Sequence, residues 1–225
     1  MTSGKKPRLP VISPPSTKAG GGRKVTRAMV VIYVLLIGGL FVALALRPSS
    51  TTGEEGVSAA GYTVGSPGPG TKAPNFSLPS TAGGTVQLSD YSGKTVLLFF
   101  HEGLGCQPCW DNIRDLESAR PKLQAAGIDK LVTITSNPLN LIAQKMNDEK
   151  LTSVALADSD LKISNLYQTS KYGMPGHLSN GHSFLLVGPT GLIEWRADYG
   201  GAPNYTMYVP VDKILSDLKT GRTRA

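Results

Sequence analysis

The sequence predicts an α/β domain, a central sheet covered by helices, carried behind a single transmembrane helix. Three observations predict it. From about Ala73 onward, short β-rich runs alternate with stretches of helical period. Val96-Leu97-Leu98-Phe99-Phe100 is a continuous apolar run, as a strand buried on both faces requires. The 19 residues from Ala28 to Leu46 carry no charge, about the length that crosses a hydrocarbon core as a helix.

Charge orients that helix. Of the 23 lysines and arginines, seven lie before Ala28 (Lys5, Lys6, Arg8, Lys18, Arg23, Lys24 and Arg27), in a stretch without acidic residues. The 16 that remain are balanced by 16 acidic residues, so the net charge of +7 belongs to the tail. The rest of the chain is neutral and offers no basic surface for nucleic acid. The positive-inside rule puts residues 1–27, a basic disordered tail, in the cytoplasm. Residues 28–46 span the membrane, and the remainder is extracytoplasmic. A cleaved signal peptide is the competing reading, but the apolar stretch exceeds the roughly 7–15 residues of a signal core. Residues 47–72, rich in Gly, Ser, Thr and Pro, read as a flexible linker, and 73–225 as the folded domain.

Within that domain Phe76 and Leu78, then Val86 and Leu88, alternate with polar neighbours across Gly83-Gly84, a hairpin pattern. The buried strand 96–100 follows. Ile113, Leu116, Ala119 and Leu123 recur at helical spacing, with Pro121 expected to kink the helix. Leu131–Ile134 is a short strand, and Pro138 opens a helix bearing Leu139, Ile142, Ala143 and Met146 on one face. A strand at 154–156 and a short helix at 161–167 come next. Phe184–Val187 and Leu192–Trp195, joined by Gly188-Pro189-Thr190-Gly191, form a closing hairpin. Val211, Ile214, Leu215 and Leu218 mark a final amphipathic helix.

Chemistry concentrates where strand 96–100 gives way to the first helix. The only two cysteines, Cys106 and Cys109, stand there as Cys-Gln-Pro-Cys. A structural disulfide contributes most when it closes a long loop, and this pair closes almost none. At a helix start, free N–H groups and the positive end of the helix dipole stabilise a thiolate, lowering its pKa from ~8.5 towards ~3.5–7.5. Pro108 fits the first turn, where its missing N–H costs nothing. A second thiol three residues on can attack a mixed disulfide formed at the first. Cys106 is therefore expected to be the nucleophile and Cys109 the resolving thiol. Half of a zinc site would need two more ligands, and no second Cys-x-x-Cys exists.

Ala73-Pro74-Asn75-Phe76-Ser77-Leu78, Val86-Gln87-Leu88-Ser89-Asp90-Tyr91-Ser92-Gly93-Lys94, the apolar strand and the Cys-x-x-Cys together resemble the peroxiredoxin superfamily, of alkyl hydroperoxide reductase/thiol-specific antioxidant type. The sequence is also similar to membrane-tethered thiol–disulfide reductases of cytochrome c maturation. The resemblance implies a thioredoxin-like three-layer fold with a central mixed sheet and an antioxidant or disulfide-reducing dithiol cycle. It implies no bound cofactor, and as partner a hydroperoxide or a thiol/disulfide protein. Two departures stand out. Gly103 occupies the place where the superfamily carries a threonine three residues before its peroxidatic cysteine. Gly181-His182-Ser183 stand before the strand at 184–187, where the superfamily has an arginine and thioredoxins a cis-proline. Both departures argue against peroxide reduction at a typical rate.

All three histidines fall near the expected active end: His101 beside the motif, and His177 and His182 in the loop before the closing hairpin. His182 resembles the histidine of thioredoxin-like copper chaperones of cytochrome oxidase assembly, which makes Cys106, Cys109 and His182 an alternative copper set. Glu102 is an auxiliary candidate, as a proton acceptor for Cys109. Trp110, Trp195 and Tyr199 read as packing residues.

Overall fold

A computed structural model describes residues 61–176 and 179–223. The expected cytoplasmic tail, the transmembrane segment 28–46, the first part of the linker and His177 lie outside the described residues. No helix among the described residues is long and apolar enough to cross a membrane.

Among the described residues seven strands and five α-helices follow one another: β1 (Ser77–Pro79), β2 (Thr85–Gln87), β3 (Val96–Phe100), α1 (Gln107–Ser118), α2 (Arg120–Ala125), β4 (Lys130–Thr135), α3 (Leu139–Asp148), β5 (Val154–Ala157), α4 (Lys162–Leu166), β6 (Ser183–Val187), β7 (Ile193–Asp198) and α5 (Val211–Gly221). Strands β1 and β2 form the hairpin read from residues 76–88. The other five make one mixed sheet in the order β5-β4-β3-β6-β7, parallel from β3 to β5 and antiparallel across β3, β6 and β7.

The all-apolar β3 lies at the centre because it has helices or a hairpin on both sides. Leu97 and Phe99 point into a core shared with Trp110, Ile113 and Leu116 of α1, Ile142 and Met146 of α3, and Ile214 and Leu218 of α5. Val96, Leu98 and Phe100 point the other way, against Leu78, Leu88, Ile163 and Tyr167. Period-two alternation thus divides one strand between two cores.

Two boundaries differ from the sequence reading. Pro121 breaks the helix that it was expected to kink: α1 ends at Ser118, and α2 starts at Arg120 with the proline in its first turn. Proline has no N–H to give the preceding turn, but it fits a helix start. The packed domain also begins before Ala73. Tyr62 is buried in the core around Trp195 and Tyr199, and residues 63–73 run along β7. There Thr63 and Asp198 exchange both backbone hydrogen bonds, at 3.0 and 2.8 Å, and Ile193 N–H donates to Thr71 at 2.9 Å. On the opposite edge, Thr81 N–H donates to Ala155 of β5 at 3.0 Å. The segment that composition marks as linker thus covers an edge strand, which left bare would invite pairing with another chain.

Candidate functional site

Strand β3 delivers the chain to the site, and a tight turn aims it. After Phe100 the backbone reverses at Gly103, whose φ is +86°, and Cys106 N–H closes the turn on Gly103 O at 3.0 Å. Cys106 is the N-cap of α1, and its Sγ accepts the N–H of Cys109 at 3.2 Å. Pro108 sits in the first turn and leaves that N–H as the donor next in line. The two sulfurs are joined as a disulfide. Cys106 keeps 5% exposure and Cys109 none. A partner arriving from solvent therefore meets Cys106 first, and the sulfur it meets is the one at the positive helix end.

His182 comes to the same place from the start of the neighbouring strand β6, on the same face of the sheet. Antiparallel pairing of Phe100 with Ser183 sets His182 beside His101, and His182 N–H is held by Tyr172 O at 2.9 Å. Its Nδ1 lies 3.8 Å from Cys109 Sγ and its Nε2 3.1 Å from Asn112 Oδ1. Asn112 is itself pinned by the backbone of Val209: Nδ2 donates to Val209 O and Oδ1 accepts from Val209 N–H, both at 3.0 Å. Rings of Phe99 and Phe184 pack edge-on to the imidazole. Burial holds the His182 pKa down at about 3, helped by repulsion from His101.

His101 is buried between Phe99, stacked at 5.1 Å, and Trp110, edge-on at 5.3 Å. Its Nδ1 accepts Gly103 N–H at 3.2 Å, and its Nε2 has no hydrogen-bond partner among the described residues. Burial puts its pKa at about 3 as well. Trp110, expected as packing alone, also donates Nε1–H to Gly103 O at 2.9 Å and so fixes the cysteine turn.

These contacts explain the glycine at position 103. A Cβ there would meet Asn137 Oδ1 at 1.7 Å and Thr135 Oγ1 at 2.2 Å, on a backbone in the left-handed region. Gly103→Thr, which puts the superfamily's hydroxyl back at its usual position, is expected to destabilise the domain by about 2–5 kcal/mol through backbone strain and overpacking. Its denaturant midpoint, read against Ser92→Thr as a surface control, checks this.

The two auxiliary expectations concern Glu102 and copper. The Glu102 carboxylate accepts Met174 N–H at 2.6 Å. It is engaged by that loop, and the contact to Cys109 comes from His182 instead. Of the copper set, His182 lies beside Cys109 while the two sulfurs are bonded to each other, the oxidised state of the pair. Among the described residues no group of three His, Cys, Asp or Glu side chains is fitted to a metal. Asn112 was missed by sequence reasoning although a signal existed. It falls three residues after Cys109 and four before Leu116, an amide on a stripe that the helical period makes buried.

Comparison with known proteins gives the same frame. Residues 69–196 match the model of the AhpC/TSA family. Over 93 residues the chain is 33% identical to peroxiredoxin Bcp of Escherichia coli K12, covering 40% of this chain and 58% of that protein. The chain spans about 58–60% of the length of the curated relatives it matches. Among solved structures, peroxidoxin BcpB of Mycobacterium tuberculosis superposes with a TM-score of 0.56 at 18% identity, covering 69% of this chain and 98% of the other. Mycobacterium tuberculosis AhpC gives 0.56 at 16% identity, covering 68% and 91%. At these identities the two structures speak for the fold.

Proposed function

The chain belongs to the AhpC/TSA family, and we propose that it works as a thiol–disulfide oxidoreductase in which Cys106 is the nucleophile and Cys109 the resolving thiol. The observation that carries this is the N-cap sulfur. Cys106 is the more exposed of the pair and accepts a helix N–H, an arrangement that favours its thiolate. In the reduced protein Cys106 attacks a partner's disulfide, a mixed disulfide forms, and Cys109 displaces the partner to leave the internal disulfide. Two electrons pass to the partner, and a second thiol donor restores the dithiol. The domain is held outside the membrane by residues 28–46, so the partner is a protein at or near that surface.

A second reading, supported by the family and by the relatives' names, has a hydroperoxide oxidise Cys106 to the sulfenic acid before Cys109 closes the disulfide. Gly103 disfavours it, because the hydroxyl expected beside the sulfur is absent and the turn has no room for one.

Insulin-disulfide reduction and hydroperoxide consumption, measured side by side, separate the readings. Cys106→Ser is expected to reduce insulin turnover to the uncatalysed background. Cys109→Ser is expected to abolish turnover but to trap a one-to-one mixed disulfide through Cys106. Peroxide consumption that exceeds insulin reduction by orders of magnitude would favour the second reading. Full turnover in Cys106→Ser would refute both.

A further inference from the structure

Cys109 has no exposure, so when it acts as an attacking thiolate its proton must pass to a neighbouring protein atom. The hydrogen bonds identify that atom. Val209 donates to Asn112 Oδ1 and accepts from Asn112 Nδ2, which fixes the orientation of the amide. The Asn112 oxygen is therefore what His182 Nε2 meets at 3.1 Å. An amide oxygen only accepts, so Nε2 carries the proton of the neutral ring, and Nδ1 keeps a lone pair directed at Cys109 Sγ, 3.8 Å away. A backbone pair on one residue thus dictates a tautomer two side chains away.

We infer that His182 Nδ1 is the proton acceptor for Cys109 in the resolving step, with Asn112 as the positioning residue that keeps this nitrogen free. The inference rests on the dithiol cycle proposed above and adds to it how the buried thiol is ionised. The starting state is a mixed disulfide between Cys106 Sγ and a partner sulfur, with Cys109 as the thiol. The Cys109 proton moves to His182 Nδ1. The Cys109 thiolate attacks Cys106 Sγ, the Cys106–Cys109 bond forms, and the bond from Cys106 to the partner breaks. The partner sulfur leaves with that electron pair and takes up one proton, returned from His182 directly or through solvent. The same transfer serves a sulfenic acid at Cys106, where water is the group released.

The surroundings suit a transient charge on the ring. His182 packs against α1 through Cys109 and Asn112, against β3 through Phe99, and against β6 through Phe184. Its backbone bonds Tyr172 O and the N–H of Tyr199. The buried titratable groups on these elements are Cys106, Cys109, His101, Tyr172 and Tyr199, whereas Asp111, Arg114, Asp115 and Glu117 of α1 pair with one another, with Glu149 and Tyr208, and with the backbone of Thr152 and Ser153. Asp198, next to Tyr199, has its carboxylate turned to Arg196. The imidazolium would be costly in this apolar setting except beside the thiolate formed in the same step, so the proton moves only when the thiol ionises.

The experiment uses the reduced full chain and 5,5′-dithiobis(2-nitrobenzoate), which releases coloured thiolate once when it loads Cys106 and again when Cys109 resolves the adduct. In His182→Gln the first release is expected to keep its native rate and the second to slow by about 100-fold, the lower end for loss of a positioned base. The second release should then rise tenfold per pH unit towards the thiol's own ionisation near ~8.5. Asn112→Leu is expected to slow the second release and shift its pH profile in the same direction. An unchanged second release in His182→Gln overturns the inference. Nitrogen NMR of the native oxidised chain provides a test without substitution: a proton on Nε2 of His182 supports the inference and a proton on Nδ1 overturns it. Absence of any first release in the native chain would instead refute the nucleophilic role of Cys106, and this inference with it.

Discussion

Unfolding stability is expected to fall by roughly 5 kcal/mol between pH 7 and pH 4.5, a window above most carboxylate titration. The cause is the pair of buried histidines. His101 and His182 are held neutral in the folded domain, each with a pKa of about 3, whereas an unfolded chain takes up those protons near ~6.5. Between the two values the unfolded state binds protons that the folded state refuses, so stability is full above ~6.5 and drains away as pH falls towards 3. Each group contributes a slope of up to about 1.4 kcal/mol per pH unit, and the two run in parallel. Glu149 adds a separate, later loss. Lys145, Gln107 and Arg114 hold its pKa down at about 2, so its contribution goes only as pH falls from the ordinary carboxylate range.

Urea unfolding at half-unit pH steps measures this directly. His101→Phe should halve the slope between pH 6.5 and 4.5, because the ring sits between Phe99 and Trp110 and its Nε2 has no hydrogen-bond partner among the described residues. Comparing slopes removes the constant cost of losing the Gly103 N–H bond. A native curve flat from pH 6.5 to 5 would refute the prediction.

Much of the architecture was legible because it rests on period and composition. The continuous apolar run of β3 announced its central place, and alternation at Phe76–Leu88 announced the hairpin. The cysteine pair announced its place between β3 and α1, where the structure joins the two sulfurs as a disulfide. What the sequence hid was partnership across the chain. Asn112 and Val209 lie 97 residues apart, and nothing in local pattern tells that one will orient the other. Glu102 looked available beside the motif because its engagement with the Met174 amide, 72 residues on, leaves no trace in its neighbours. Pro121 could be read only as an interruption; whether a helix bends or restarts depends on the packing after it, here Leu123 in the α1 core. Residues 61–72 misled for a related reason. Their Gly, Pro and Ser content gives the composition of a tether, yet Tyr62 and a chain of backbone bonds fasten them to β7.

Loss of the carboxylate that anchors this fastening should be the most damaging single substitution outside the site. Asp198 has no exposure as a side chain and neither has Arg196, and they pair at 2.7 Å and 3.0 Å. The same carboxylate accepts Gly65 N–H at 2.8 Å, while Arg196 also reaches Pro67 O at 3.0 Å. Asp198→Ala would leave a buried guanidinium without its counter-charge and a buried N–H without an acceptor. The expected cost is about 3–5 kcal/mol, which for a domain of this size lowers Tm by roughly 10 °C. Buried ion pairs are costly to break yet cheap to replace, because both charges lose water on folding. The double substitution Arg196→Met with Asp198→Leu should therefore recover most of the loss, although the Gly65 N–H stays unpaired. If the double variant is as unstable as Asp198→Ala, the cost lies in the lost strap along β7 rather than in the orphaned charge. Limited proteolysis between residues 61 and 72 would then rise equally in both variants.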